Sequence, residues 1–324
     1  MQIGFISLGC PKNQVDTEIM MGSVSKQHTI TSQLKQADIV VVNTCGFVEA
    51  AKEEAISTIL DTAASLLPAQ LLLVTGCLAQ RYADELLREM PEIDGLMGVG
   101  NPQLIDELIT RTLKGERPNL VQGQPTKFQE EGPRVLSTPK GWAYLKIAEG
   151  CHNRCSYCAI PGIRGNLRCR QPQSIIAEAQ HLVENGCQEL VLVAQDTTAY
   201  RYNEFDLRLL LTELNQIDGL EWLRVLYAHP THLNESIIEA MAKSDKVVPY
   251  LDLPVQHGHD QVLSRMNRQY NQERVWQTIN QLRQLIPRIT LRTTVMVGFP
   301  GESEEEFEYL KEFVAAAKFN WLGA

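Results

Sequence analysis

The sequence predicts an α/β protein in which an N-terminal doubly wound parallel sheet is followed by a partial (βα) barrel. Two observations predict it. Short, wholly apolar runs such as Ile39-Val40-Val41-Val42 and Leu71-Leu72-Leu73-Val74 alternate with longer helical stretches, as expected of strands covered on both faces by helices. The alternation breaks between residues 115 and 140, where Gly115, Pro118, Gly123, Pro125, Gly132, Pro133 and Pro139 interrupt any period, and it resumes at Trp142. The expected organisation is a first domain over residues 1–114, a linker over 115–140 and a second domain over 141–324.

In the first domain, Ile3 to Leu8 reads as a strand broken by Gly9-Cys10-Pro11, followed by a helix from about Asn13 to Val24. The Ile39–Val42 strand ends at Asn43-Thr44-Cys45-Gly46. The helix after it, from about Glu49 to Ser65, carries Glu49, Glu53 and Glu54 near its N-terminal end, where the dipole favours them. Leu71–Val74 ends at Thr75-Gly76-Cys77 and leads into a helix over about Ala79–Glu89. Gly95 to Val99 is a weaker fourth strand, and Asn101-Pro102 supplies a cap and a first-turn proline for a helix ending at Leu113.

Cys10, Cys45 and Cys77 each follow a different strand of this domain, and each has a glycine beside it: Gly9, Gly46 and Gly76. Strand ends of a parallel sheet lie on one edge, where such folds bind ligands. Three of three at that edge favours a shared metal cluster over three unrelated buried cysteines.

In the second domain, strands are expected at 142–147, 189–194, 222–227, 248–253 and 289–297. Helices are expected at about 173–185, 205–217, 234–243, 272–286 and 303–317. Phe319-Asn320-Trp321-Leu322 reads as the start of a sixth strand, too short to cover the edge of the fifth. The first strand runs into Gly150-Cys151-His152-Asn153-Arg154-Cys155-Ser156-Tyr157-Cys158, which places Cys151, Cys155 and Cys158 in a C-x3-C-x2-C spacing at a strand end. A four-iron cluster takes one external ligand per iron, usually cysteine, so three cysteines leave one iron open. The alternative is structural zinc, which needs a fourth ligand from His152 or Cys169.

Other strand ends are polar. Gln195 and Asp196 end the second strand, His229 and His232 follow the third, Gln256 and His257 end the fourth, and Arg292 lies on the fifth. Gln195, Asp196, Gln256 and Arg292 are the candidate contacts to a zwitterionic cofactor, Asp196 facing its cationic amino group. Arg164, Arg168 and Arg170 read as a small basic patch, either solvated or touching an acidic cofactor or partner. Cys187 and His259 read as a buried thiol and a loop or cap residue, and Ser303 with Glu306 as a capping box.

The chain has 324 residues, 44% hydrophobic, with a formal net charge of −9. That balance argues against a large basic nucleic-acid footprint. No signal peptide and no membrane-length apolar run is present, so a cytoplasmic protein is expected. Eight cysteines in a reducing compartment point to metal chemistry rather than disulfides.

The Cys151 loop, with Tyr157 before its third cysteine, resembles the radical S-adenosylmethionine (SAM) enzymes. With Ser7-Leu8-Gly9-Cys10-Pro11-Lys12-Asn13, Asn43-Thr44-Cys45-Gly46-Phe47, Gly76-Cys77-Leu78 and the run Ala194 to Tyr200, nearly the whole chain resembles the methylthiotransferases among them. Gly9-Cys10-Pro11-Lys12-Asn13 and Leu226 to Leu233 are similar to the branch that modifies an aspartate of a small-subunit ribosomal protein; the branch acting on tRNA adenosine is the alternative substrate class. The resemblance implies a barrel of the radical SAM type and two 4Fe-4S clusters, the auxiliary one on Cys10, Cys45 and Cys77 and the SAM-cleaving one on Cys151, Cys155 and Cys158. SAM would be cleaved to a radical that takes a hydrogen from the aspartate β-carbon. A sulfur from the auxiliary cluster then joins that carbon, and a second SAM supplies the methyl group. A reductant such as flavodoxin or ferredoxin and a sulfur donor are the implied partners. Family members continue into a small C-terminal β-barrel called TRAM. A form ending at the sixth strand is expected to cleave SAM while coupling that cleavage poorly to product, or to be a non-catalytic iron-sulfur protein.

Overall fold

In the computed structural model, which describes residues Met1–Ala324, the chain divides into two compact units: Met1–Ser137 with Ala159–Arg168, and Thr138–Cys158 with Cys169–Ala324.

The apolar runs of the first unit become five parallel strands, β1 (Gln2–Ser7), β2 (Thr29–Thr31), β3 (Ile39–Thr44), β4 (Leu71–Gly76) and β5 (Gly95–Met97), in the order β2-β1-β3-β4-β5. Successive side chains of a strand point to opposite faces, and helices cover both. Val40, Val42, Leu72, Val74 and Leu96 pack against Ala55 and Ile59 of α2 (Glu49–Ser65) and Leu78 and Leu86 of α3 (Cys77–Glu89). Ile3, Ile39, Val41, Leu73 and Met97 pack against Met20 and Val24 of α1 (Pro11–Val24) and Ile105, Leu108 and Ile109 of α4 (Ile105–Leu113). Each such side chain contributes about 1.5–3 kcal/mol by leaving water. β2 escaped the sequence reading because three residues, two of them threonine, make no apolar run.

The Gly/Pro-rich stretch belongs to this unit as far as Ser137. Leu96 and Pro118–Leu120 exchange backbone hydrogen bonds of 2.9 and 2.8 Å. Glu18, wholly buried, accepts from Arg134 at 2.5 Å and from Ser137 N at 2.9 Å. The short helix α5 (Ile160–Ile163) and the residues through Arg168 complete the unit.

In the second unit, Trp142–Lys146, Glu189–Val193 and Trp222–Val225 form one parallel run, and Tyr250–Asp252, Thr290–Thr294 and Trp321–Gly323 another. Leu223 joins the two through bonds to Lys246 O and from Val248 N, at 2.7 and 3.0 Å. Six parallel strands thus stand in sequence order. Between them run α6 (Pro172–Glu184), α7 (Leu207–Asn215), α8 (Glu235–Lys243), the short α9 (Asp260–Arg265), α10 (Gln272–Leu285) and α11 (Glu304–Ala317). The capping box of Ser303 and Glu306 is formed, and His259 is the N-cap residue of α9.

The fifth strand does not keep an open edge. Trp321, Leu322 and Gly323 pair with Arg292, Thr293 and Thr294, because Asn320 locks the register: its N–H reaches Leu291 O and its side chain accepts from Leu291 N, both at 2.9 Å. No helix of the structure is long and apolar enough to cross a membrane.

Gly76 has φ +95° and ψ −156°, a region essentially closed to residues with a Cβ. A Cβ there would stand 2.3 Å from Asn43 Oδ1 and 2.6 Å from Thr44 O, whereas one at Gly115 (φ +80°) would meet nothing within 4 Å. Gly76→Ala is expected to lower unfolding stability by roughly 3 kcal/mol, and Gly115→Ala by about 1 kcal/mol. Chemical denaturation checks this; equal losses would show that the close approach at Gly76 costs nothing beyond backbone strain.

Candidate metal centres and cofactor mouth

β1, β3 and β4 are neighbours in the first sheet, so the residues just past their carboxyl ends converge. Cys10 is the N-cap residue of α1, Cys45 follows β3, and Cys77 opens α3. A Cβ on Gly9 would lie 2.8 Å from Cys45 Cβ and 3.3 Å from its Sγ, and one on Gly46 would lie 2.9 Å from the Cys77 carbonyl carbon. Only glycine lets these three loops close so tightly. The thiols also feel one another: burial pushes Cys77 up to about 11 against the pull of Arg164, and Cys10 and Cys45 add to the rise. At Cys10 burial also opposes the thiolate. Lys12, Arg164 and the N–H groups of Asn13 and Lys12 outweigh it and hold that thiol below its ordinary value.

The strand ends are fastened by a buried polar network. Asn13 donates to Leu8 O at 3.2 Å and Thr44 O at 2.9 Å; Asn43 donates to Asn13 O at 2.8 Å and Thr17 Oγ1 at 2.9 Å. Arg164, 1% exposed, donates to Cys77 Sγ at 3.3 Å, to Asn13 Oδ1, and to Asp16 at 3.1 Å. The expected basic patch is therefore not on the surface. Arg168 is buried on Glu130 at 2.8 Å, and Arg170 on Glu178 and Ser174. Their partners lie far off in sequence, or four and eight residues on in the case of Arg170, which a run of nearby arginines does not reveal.

In the second unit the loop Cys151–Cys158 follows the first barrel strand. Burial pushes Cys151 up to about 11; the N–H of Asn153 pulls the other way, and Asp196, Cys158 and Cys155 add to the rise. The loop is docked on the last residue of α9 and the residues just after it. Ser156 N donates to Met266 O at 3.0 Å, Ser156 Oγ to Arg265 O at 3.0 Å, and Asn267 to Arg154 O at 2.7 Å. Arg268 donates to Cys155 Sγ and Tyr157 Oη, both at 3.4 Å, to Pro254 O at 2.7 Å and to Tyr270 Oη at 2.7 Å. Nothing in the sequence marked Arg268 or Asn153. Cys169 accepts from Arg201 N at 3.3 Å, and Cys187 is buried.

Of the expected mouth residues, Gln195 donates to Glu149, which also holds Lys146 at 2.9 Å, and its Oε1 is buried without a partner. Asp196 is buried and fully engaged: Asn153 at 2.8 Å and His232 at 2.7 Å on Oδ2, Thr198 at 2.7 Å and Ala199 N at 3.1 Å on Oδ1. Burial works to raise its pKa, but the hydrogen bonds from His232 and Asn153 hold it below the ordinary value. Burial, with Arg268, pushes His229 down to about 3, so this imidazole is neutral. Gln256 sits at φ +66°, its backbone bonded to Thr294 O and Met296 N. Arg292 pairs with Asp252 at 2.6 Å.

These residues fit iron-sulfur and SAM chemistry. Three thiols per set, close-packed glycine loops and an unpaired buried acceptor at Gln195 Oε1 suit that donor set and a polar cofactor.

Residues 145–314 match the Radical SAM superfamily, the class that a cysteine loop at the head of a parallel barrel defines, and residues 2–98 match the uncharacterized protein family UPF0004. The ribosomal protein uS12 methylthiotransferase RimO of Syntrophomonas wolfei is 50% identical over all of this chain and 75% of its own length. That of Clostridium perfringens is 47% identical over 99% and 74%, and that of Moorella thermoacetica 48% over 100% and 76%. The chain belongs to the RimO family of radical SAM methylthiotransferases, whose cofactors are 4Fe-4S clusters and SAM. Among solved structures, the radical SAM methyltransferase TsrM from Kitasatospora setae, with cobalamin and a [4Fe-4S] cluster bound, superposes with a TM-score of 0.75 at 13% identity, covering 99% of this chain and 74% of that one. The cobalamin-dependent radical enzyme OxsB, with aqua-cobalamin and SAM bound, gives 0.67 at 12%, covering 97% and 51%. At those identities the likeness is one of fold.

Lysine in place of Arg268 keeps the charge but not the fork that reaches four acceptors. Arg268→Lys is expected to lower stability by about 2–3 kcal/mol and to speed loss of iron on dilution into chelator. Unchanged denaturation midpoint and iron retention would show that the loop does not depend on this guanidinium.

Proposed function

We propose that this chain adds a methylthio group to the β-carbon of an aspartate in the small-subunit ribosomal protein uS12. The observation that carries the reading is the pairing of two cysteine triads at strand ends with 43–50% identity to RimO enzymes along the chain. In this reading Cys151, Cys155 and Cys158 hold the cluster that binds SAM, and Cys10, Cys45 and Cys77 hold the auxiliary cluster. When bound, these groups supply the one-electron chemistry that opens an unactivated C–H bond, and the sulfur that replaces the hydrogen.

The protein's share is placement. Arg268 fixes the rim of the SAM cluster loop through Cys155 and Tyr157. Gln195 offers its unpaired Oε1 to the amino end of SAM, while Gln256 and Arg292 present polar groups from the fourth and fifth strands. Asp196, with both oxygens engaged, serves as a positioning residue that holds Asn153 of the loop and His232. On the auxiliary side, Lys12 and Arg164 outweigh burial at Cys10 and favour its thiolate, and Arg164 works against burial at Cys77.

The reaction needs an electron from a carrier such as flavodoxin or ferredoxin and a sulfur donor. Thiolate ligation of this kind suits a reducing compartment, and the reading takes that compartment to be the cytoplasm.

About eight irons and eight labile sulfides per chain are expected after anaerobic reconstitution. Replacing Cys151, Cys155 and Cys158 with Ala should remove about half the iron and all SAM cleavage. Stoichiometric zinc without visible absorption in protein purified without oxygen would overturn the cluster assignment. Mass spectrometry of a deletion strain should find the ribosomal aspartate unmodified and tRNA normal; the reverse result would move the substrate to tRNA adenosine.

A further inference from the structure

Asp196, His229 and His232 offer one ligand atom apiece, and these atoms all lie within 4.8 Å of one another. Asp196 stands past the end of the second barrel strand, and His229 and His232 past the third, so the parallel barrel itself brings them together. Two features point to a ligand. His229 is 6% exposed, its Nδ1 accepts from Thr231 N at 3.3 Å, and its remaining nitrogen, Nε2, is buried with no partner. A buried ring nitrogen left unpaired is costly and uncommon. The second feature is the ring arrangement. His232 stacks beside His229 with centroids 5.5 Å apart, and His152, from the cysteine loop, stands edge-on to His232 at 5.7 Å.

We propose that Asp196, His229 and His232 form a binding site for a divalent transition-metal ion of the zinc class, separate from both cysteine triads. Imidazole and carboxylate together suit zinc and its neighbours, at nitrogen and oxygen distances of about 2.0–2.2 Å. Entry of the ion at His229 Nε2 requires the ring proton to move to Nδ1, at the cost of the 3.3 Å contact from Thr231 N; at His232 the ion replaces the hydrogen now shared by Nδ1 and Asp196 Oδ2, and that ring keeps its proton on Nε2. His152 flanks the site through its edge-on contact with His232. An ion held there would tie together the ends of two barrel strands without using a cysteine.

The test uses the holoenzyme, with both clusters loaded anaerobically so that the cysteines are occupied, dialysed against buffered zinc. Zinc is the probe because it is told apart from cluster iron by elemental analysis. The expected result is one zinc per chain with iron unchanged, and an affinity at least about tenfold weaker in His229→Gln and in His232→Gln. Zinc X-ray absorption should show nitrogen and oxygen neighbours and no sulfur. Absence of bound zinc, equal binding in both variants, sulfur in the zinc shell, or zinc gained only as iron is lost would each overturn the proposal. Where His229→Gln itself loads iron poorly, His232→Gln, at a half-buried position, decides.

Discussion

A parallel sheet ends all its strands on one edge, and that constraint governs where chemistry falls in both units. A single cysteine at a strand end is a small buried thiol; three at the ends of adjacent strands are brought to one edge, as the proposed auxiliary ligand set requires. In the first unit the set is assembled from residues far apart in sequence, so it exists only once β1, β3 and β4 are paired. In the second, a single loop carries the cysteines, and the strand ends around it supply the polar wall. The same rule brings Asp196 to His229 and His232.

Bringing thiols, carboxylates and guanidinium groups out of water is costly unless each finds a partner. The structure meets this with arginines of high hydrogen-bonding capacity. Arg164 serves Cys77, Asn13 and Asp16; Arg268 serves Cys155, Tyr157, Pro254 O and Tyr270. Each sits beside a cysteine of a different triad. A charged, forked donor next to a thiol biases it toward thiolate and fixes where its sulfur lies. Asn13 plays the neutral counterpart, holding two loops by their carbonyl oxygens.

The architecture and the placing of the six cysteines at strand ends were legible because they follow from local signals: apolar runs that each stop at a glycine and a cysteine, and, in the second unit, short cysteine spacing. What was not legible depends on pairs distant in sequence. Arg164, Arg168 and Arg170 read as a surface patch because nothing near them announces Asp16, Glu130 or Glu178 as partners. Arg268 carried no local cue, since three of its four acceptors, a thiol, a phenol and a carbonyl, come from other elements. The covering of the fifth strand by Trp321–Gly323 turned on Asn320, whose side chain stands in for a backbone acceptor. Asp196 was found by its place at a strand end, but its occupied oxygens could be seen only with its partners present.

The first unit is not continuous in the chain. It runs to Ser137, and it is completed by Ala159–Arg168. The cation that faces Asn13, Asp16 and Cys77 is therefore made after the whole Cys151–Cys158 loop. During synthesis, at about 5–20 residues per second, the N-terminal sheet can pair its strands long before Arg164 leaves the ribosome. Until then its cysteine edge stands without that guanidinium. The order of translation thus makes the charge partner of the first thiol set a late arrival, one that follows the appearance of the second set rather than preceding it.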